Sequence, residues 1–239
     1  MRKGIISLLI FLTFALPAIG QNTDSISTKT IYKKSIFPVA LIGAGVLLSG
    51  SDFEHNLNQD MRDAVGSNYQ VSIDDYAQYA PVATLYLADI LRIKSKNHWF
   101  DQTKYLLISN AISAGITQSL KGIIGKTRPN GSDYAMPSGH TTLAFTNAAV
   151  VYNEFSETAP LVAYSGYAFA VTTGTFRMLN NKHWFSDVLV GAGIGIAVTR
   201  LVYYFEPLKN FNPFKKAEGV ALVPYANSDE YGFYFSYRF

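Results

Sequence analysis

The chain has 239 residues, of which 49% are hydrophobic and 15% charged, with a formal net charge of +3 and no cysteine. That length suits one domain with a sizeable core. The missing cysteines exclude a disulfide framework, thiolate metal sites and a thiol nucleophile, and so small a net charge gives no argument for nucleic acid as a partner.

In chain order, Arg2 and Lys3 precede an apolar run from about Ile5, and Ala18-Ile19-Gly20 forms a small-x-small cleavage site before Gln21. Residues 1–20 therefore read as a secretory signal. Its removal takes away two basic groups and no acidic one, so the net charge falls from +3 to +1. Apolar, Gly/Ala-rich stretches follow near 36–48, 80–93, 105–124, 141–155, 160–176 and 187–205, separated by polar connectors. Their length and scarcity of β-branched alternation predict helices. The expected fold of residues 21–210 is all-α, a bundle of about six helices.

A bilayer span needs about 20 predominantly apolar residues. The uncharged intervals come close, as in the 19 residues between Glu157 and Arg177, whereas a mean hydropathy of +0.10 is low for an embedded chain. Charges at helix ends can snorkel, and the small residues of "GAGVLLSG" and "VGAGIGIA" suit close helix contact in lipid. The bundle is read as membrane-embedded, with a soluble or surface-bound bundle as the alternative. Residues 218–239 change character: two strands joined at 226–230 form a β-hairpin, the second with Tyr231, Phe233, Phe235, Tyr237 and Phe239 on one face. One hairpin cannot close a barrel, so it is expected to pack on the helices or at a lipid interface.

Three segments carry chemistry. Lys121 and Arg128 are seven residues apart, close to two helical turns, which predicts that both project from one face of a helix stopped before Pro129. In "MPSGHTTLAF", Pro137 suits a first turn, and Ser138 and Gly139 are expected to leave backbone N–H groups unpaired at a helix start, an anion site. His140 adds a titratable imidazole beside it. Farther on, Arg177 supplies planar donors for phosphate oxygens. Asp187, four residues after His183, is placed to accept its Nδ1–H and leave Nε2 free to attack.

In that order, K-x6-R-P at 121–129, P-S-G-H at 137–140 and R-x5-H-x3-D at 177–187 resemble the three motifs of the type 2 phosphatidic acid phosphatase superfamily, which also includes vanadium haloperoxidases. The resemblance implies a metal-independent phosphatase without a cofactor, acting on a lipid phosphate or lipid pyrophosphate in the cell envelope. By the same resemblance, Lys121, Arg128, Ser138, Gly139 and Arg177 would bind the phosphoryl group, His183 would become a phosphohistidine oriented by Asp187, and His140 would act as general acid and then base. The implied site faces the periplasm. Two departures stand out: Phe176 occupies the place where the family commonly has Ser before the third-motif Arg, and only seven residues separate Pro129 from Pro137. A vanadate-dependent haloperoxidase, or a non-enzymatic membrane protein with a vestigial site, are the competing readings.

Overall fold

The computed structural model describes residues 28–205, 207–208, 211, 220–226 and 231–237. The stretch read as an export signal lies outside them. Among the described residues there are eight helices: α1 (Thr28–Leu48), α2 (Asp52–Val65), α3 (Ile73–Ala77), α4 (Ala80–Ile90), α5 (Trp99–Ile124), α6 (Gly139–Phe155), α7 (Pro160–Leu179) and α8 (Phe185–Tyr204). The six apolar stretches correspond to α1 and α4–α8. The two further helices, α2 and α3, occupy a segment too polar to register as an apolar stretch.

Local signals account for α2. Ser51 caps it, with Oγ accepting the Glu54 N–H at 3.2 Å, and Asp52 and Glu54 place negative charge in the first turn, where the helix dipole favours it. It ends at Gly66, whose φ of 88° is open to glycine without a Cβ penalty and whose N–H closes on Arg62 O at 2.8 Å. This helix is amphipathic, and its one buried residue is Glu54.

The centre of the bundle is α8, which packs against both α1 and α6. Glycine makes the double contact feasible. A Cβ at Gly193 would stand 2.5 Å from Ile42 Cγ1 of α1, and one at Gly195 would stand 2.7 Å from both Thr142 O and Thr146 N of α6. Those distances exclude any side chain, so the helices meet backbone to backbone. Around this seam, Ala144, Phe145, Ala148, Ala170, Ala192 and Ile196 form one apolar cluster, while Leu85, Ala88, Leu106, Val150, Val151, Phe155 and Ala163 form another between α4, α5, α6 and α7.

Among the described residues, α8 is the one helix long and apolar enough to cross a membrane, and 72% of its apolar window is buried inside the protein. The pair 35–48 and 52–65 passes the same test together but is bent by 89° at its break. Outward-facing apolar side chains are nevertheless large and numerous, including Leu47, 83% exposed, and Leu161, 90% exposed.

Residues 205–239 form a separate compact unit. Within it β1 (Val220–Ala226) and β2 (Tyr231–Tyr237) pair antiparallel, with Val220 opposite Tyr237 and Ala226 opposite Tyr231. Of the joint expected at 226–230, Ala226 ends β1 and residues 227–230 lie outside the described residues, as do the side chains of Tyr231, Phe233, Phe235, Tyr237 and Phe239.

Candidate active site

Helix α5 delivers Lys121 to the site and stops sooner than its sequence spacing implied. Gly125 adopts the left-handed conformation at φ 61°, with its N–H closing on Lys121 O at 3.0 Å, and a glycine there ends a helix at no steric cost. Arg128 therefore lies in the following loop rather than on the helix face. The loop folds back through Arg128 N–H to Ser132 O and Ala135 N–H to Lys126 O, each 2.7 Å. Lys121 Nζ donates to the Tyr134 carbonyl at 2.7 Å. Its Cε would lie 3.9 Å from a Cβ placed on Gly139, so the lysine chain covers the first residue of α6.

Ser138 is the N-cap of α6, its Oγ accepting the Thr141 N–H at 3.4 Å and the Thr141 hydroxyl at 2.9 Å. Its backbone N–H, which the sequence reading left unpaired, instead donates to Asp187 O at 3.0 Å. The cap thus ties the second motif to the third.

Asp187 sits in the first turn of α8 and reaches back to accept the Trp184 N–H through Oδ2 at 2.8 Å, the acidic half of a capping box. The same Oδ2 lies 3.5 Å from His183 Nδ1, within ion-pair reach but without the hydrogen bond expected from the i, i+4 spacing, because Oδ2 is engaged by the Trp184 N–H. Asp187 Oδ1 is 3.1 Å from Lys126 Nζ, an ion pair whose angle falls short of a hydrogen bond. His183 is 1% exposed. Burial pushes its pKa down to about 4, with Arg177 and Lys121 adding to that direction and Asp187 opposing it. A neutral imidazole keeps a lone pair for attack.

Arg177, in the last turn of α7, is 4% exposed. Its Nη1 donates to Asp74 Oδ2 at 2.7 Å and stands 3.9 Å from Asp75 Oδ1. Asp75 Oδ1 is also 3.0 Å from His140 Nε2, and Asp74 Oδ1 accepts from Asn180 at 2.8 Å. The acid pair of α3 therefore engages both a guanidinium and an imidazole of the motif set. Two donors are left over: the buried Nε atoms of Arg128 and Arg177 have no protein partner. Lys121, Arg128 and Arg177 lie close enough to act on one another's charge, and burial followed by the nearby Arg177 lowers the pKa of Arg128. Clustered cations with unmatched buried N–H groups are what a tetrahedral oxyanion satisfies.

All eight residues named from the sequence converge on this region. Glu54, Asp74, Asp75 and Lys126 also belong to it and were not named. Lys126 lies inside the K-x6-R interval, where spacing says nothing of it, and the three acids sit on the two polar helices that hydropathy passed over.

Residues 102–211 match the model described as the PAP2 superfamily. The chain is 30% identical, over an alignment of 248 positions covering 92% of it, to the lipid A 1-phosphatase of Porphyromonas gingivalis. It spans 56% of that relative's length. Its structure is similar to the crystal structure of a transmembrane PAP2-type phosphatidylglycerolphosphate phosphatase from Bacillus subtilis, with TM-score 0.52 and 20% identity, covering 74% of this chain and 99% of that one. At that identity the likeness is one of fold. Every motif residue named above falls inside the segment that matches the PAP2 superfamily model.

Proposed function

We propose that this protein is a phosphatase that cleaves the phosphate ester of an envelope lipid through a phosphohistidine at His183. The observation that carries the reading is the cluster of Lys121, Arg128 and Arg177, two of them with unmatched buried Nε–H groups, beside a buried neutral imidazole. The cations, with Ser138 and Gly139 at the start of α6, bind the phosphoryl oxygens and stabilise the charge of the transferring group. His183 Nε2 attacks phosphorus as the ester P–O bond breaks, and the leaving oxygen takes a proton from His140. Water then gives a proton to His140 and attacks phosphorus, the P–N bond breaks, and inorganic phosphate leaves. Asp187 faces the Nδ1 side of His183 and stabilises the imidazolium that forms.

The lipid nature of the substrate is supported by the exposed apolar faces of α1, α4, α5 and α7, where Leu47, Ile90, Leu107 and Leu161 point outward. Helices of 20 residues, such as α7 and α8, measure about 30 Å, the thickness of a bilayer core. In this reading residues 1–20 export the chain, residues 21–210 form the membrane-embedded catalytic domain, residues 218–239 form an appended hairpin, and the site opens to the periplasm. The name of the Porphyromonas gingivalis relative, a lipid A 1-phosphatase, supports keeping lipid A among the candidates.

The test is phosphate release by the purified protein in detergent from dioctanoyl phosphatidic acid, phosphatidylglycerol phosphate, lipid A and undecaprenyl pyrophosphate. Turnover of at least one, absent in His183→Ala, is expected; release from none would overturn the reading. Labelling of a single cysteine introduced at Ser132 in intact cells tests the orientation, and labelling only after the inner membrane is permeabilised would reverse it.

A further inference from the structure

Helix α2 is a polar surface helix whose single buried side chain is a carboxylate, Glu54, 1% exposed. A carboxylate in that position costs stability unless it is paired and hydrogen-bonded. Glu54 Oε2 takes the Gly50 N–H at 2.7 Å and Lys126 Nζ at 3.0 Å. Oε1 takes the Ser186 N–H at 3.0 Å and Lys126 Nζ at 3.1 Å. Lys126 is itself 8% exposed and donates to Ser186 Oγ at 2.7 Å, with Asp187 Oδ1 at 3.1 Å and the Trp184 ring 5.6 Å away. A chain of alternating charge thus runs from Glu54 through Lys126 and Asp187 to His183.

The geometry points to Lys126, clamped by Glu54, as a positioning residue for the nucleophile: it holds the Asp187 carboxylate turned toward His183 and offsets part of that carboxylate's negative charge at the imidazole. This rests on the phosphohistidine reading. The charge count supports it. Glu54, Lys126 and Asp187 together carry −1 in a buried space, and an imidazolium formed at His183 during phosphoryl transfer brings the four groups to zero. Without Lys126, two carboxylates face each other at −2, and Asp187 Oδ1 loses its only cation within ion-pair reach among the described residues. Neither Lys126 nor Glu54 is placed in the phosphate cluster, so substrate binding is left largely alone.

A purely structural role, tying α2 to the start of α8, predicts lost stability and nothing else. The positioning role predicts pH shifts of opposite sign. The charged groups facing the His183–Asp187 pair are Lys121 from α5, Arg177 from α7, Glu54 from α2, and Lys126 and Arg128 from the loop after α5. Removing the ammonium in Lys126→Met favours protonated His183, so the acid limb of phosphoenzyme formation moves to higher pH. Removing the carboxylate in Glu54→Gln, which keeps an acceptor for the Ser186 N–H, disfavours protonated His183 and moves the limb to lower pH.

The experiment uses full-length protein in detergent with whichever of those four lipids the native protein turns over, 32P-labelled on the transferred phosphate, quenching phosphoenzyme formation between pH 3.5 and 8. Lys126→Met is expected to lower kcat about ten- to hundredfold with KM changed by about twofold or less. Its limb should rise, that of Glu54→Gln should fall, and the double variant should return toward the native profile. Active native protein with both limbs unmoved, or moved in the same direction, would overturn this inference alone. Native protein that forms no phosphoenzyme on a substrate it turns over would remove the phosphohistidine reading and this inference with it. Should Lys126→Met fail to fold by circular dichroism, Glu54→Gln decides: a lowered limb upholds the inference and an unmoved one ends it.

Discussion

Two histidines of this site each stand beside an aspartate, and the two pairs are built in opposite ways. His183 and Asp187 are four residues apart, buried, and separated by 3.5 Å. His140 and Asp75 are 65 residues apart, with side chains 33% and 46% exposed, and make a closer 3.0 Å contact. The deep pair keeps its imidazole neutral through burial, which suits a group that must offer a lone pair. The shallow pair leaves its imidazole in reach of solvent. Partial burial and Arg177 lower its pKa too, but the Asp75 hydrogen bond opposes them, which suits a group that must both release and accept a proton within one cycle. Burial, more than contact distance, separates the two roles.

The largest way to break this contrast is at the deep pair. His183→Ala should reduce turnover to background and abolish the acid-labile phosphoenzyme seen after brief exposure to labelled substrate. Residual phosphoenzyme in that variant would assign the nucleophile elsewhere. At the shallow pair, His140→Ala should cost on the order of 10²- to 10⁴-fold in kcat, with much of the loss recovered on an aryl phosphate whose leaving group needs no proton. An equal loss on both substrates would deny His140 the role of acid.

The pH dependence sharpens the comparison. His183 has a folded-state pKa lowered from 6.5 to about 4, so its attacking form persists well below pH 6.5, and the acid limb of phosphoenzyme formation should fall under that value. The sign for stability is the reverse of a favourable pairing: between about 4 and 6.5 the unfolded chain takes up a proton that native His183 refuses, so stability declines as pH falls through that window. A limb at or above 6.5 would contradict the burial argument. Smaller effects follow. Asp75→Asn, which weakens a partly exposed pair worth about 1 kcal/mol or less, should change kcat by roughly fivefold at most, as steady-state kinetics would report. Incubation with a chelator should change nothing, and activity lost to it and restored by Mg²⁺ would replace the cationic cluster with metal chemistry.

What the sequence displayed and what it hid divide along the same line. Features local in the chain were legible: the i, i+4 relation of His183 and Asp187, the helix opened after Ser138, and the long apolar stretches that became α4–α8. Nonlocal ones were not, because nothing in "SIDDYAQY" states that Asp74 meets an arginine 103 residues away. Glu54 and Lys126 were hidden for another reason. An acid on a polar helix and a lysine in a loop look solvated, and only the fold turns them inward. The end of α5 was misjudged because a proline at 129 overshadowed a glycine at 125 that stops the helix first.

The hydrogen bond from the Ser138 amide to the Asp187 carbonyl has a consequence for how the site can be watched. It joins the residue two before His140 to the residue four past His183, with both ends inside the protein. Exchange of that one amide with deuterated solvent requires the two segments to part, so its rate is a clock for the opening of the site. An occupant bridging Lys121, Arg128 and Arg177 should slow that clock, reporting occupancy of the site without any turnover.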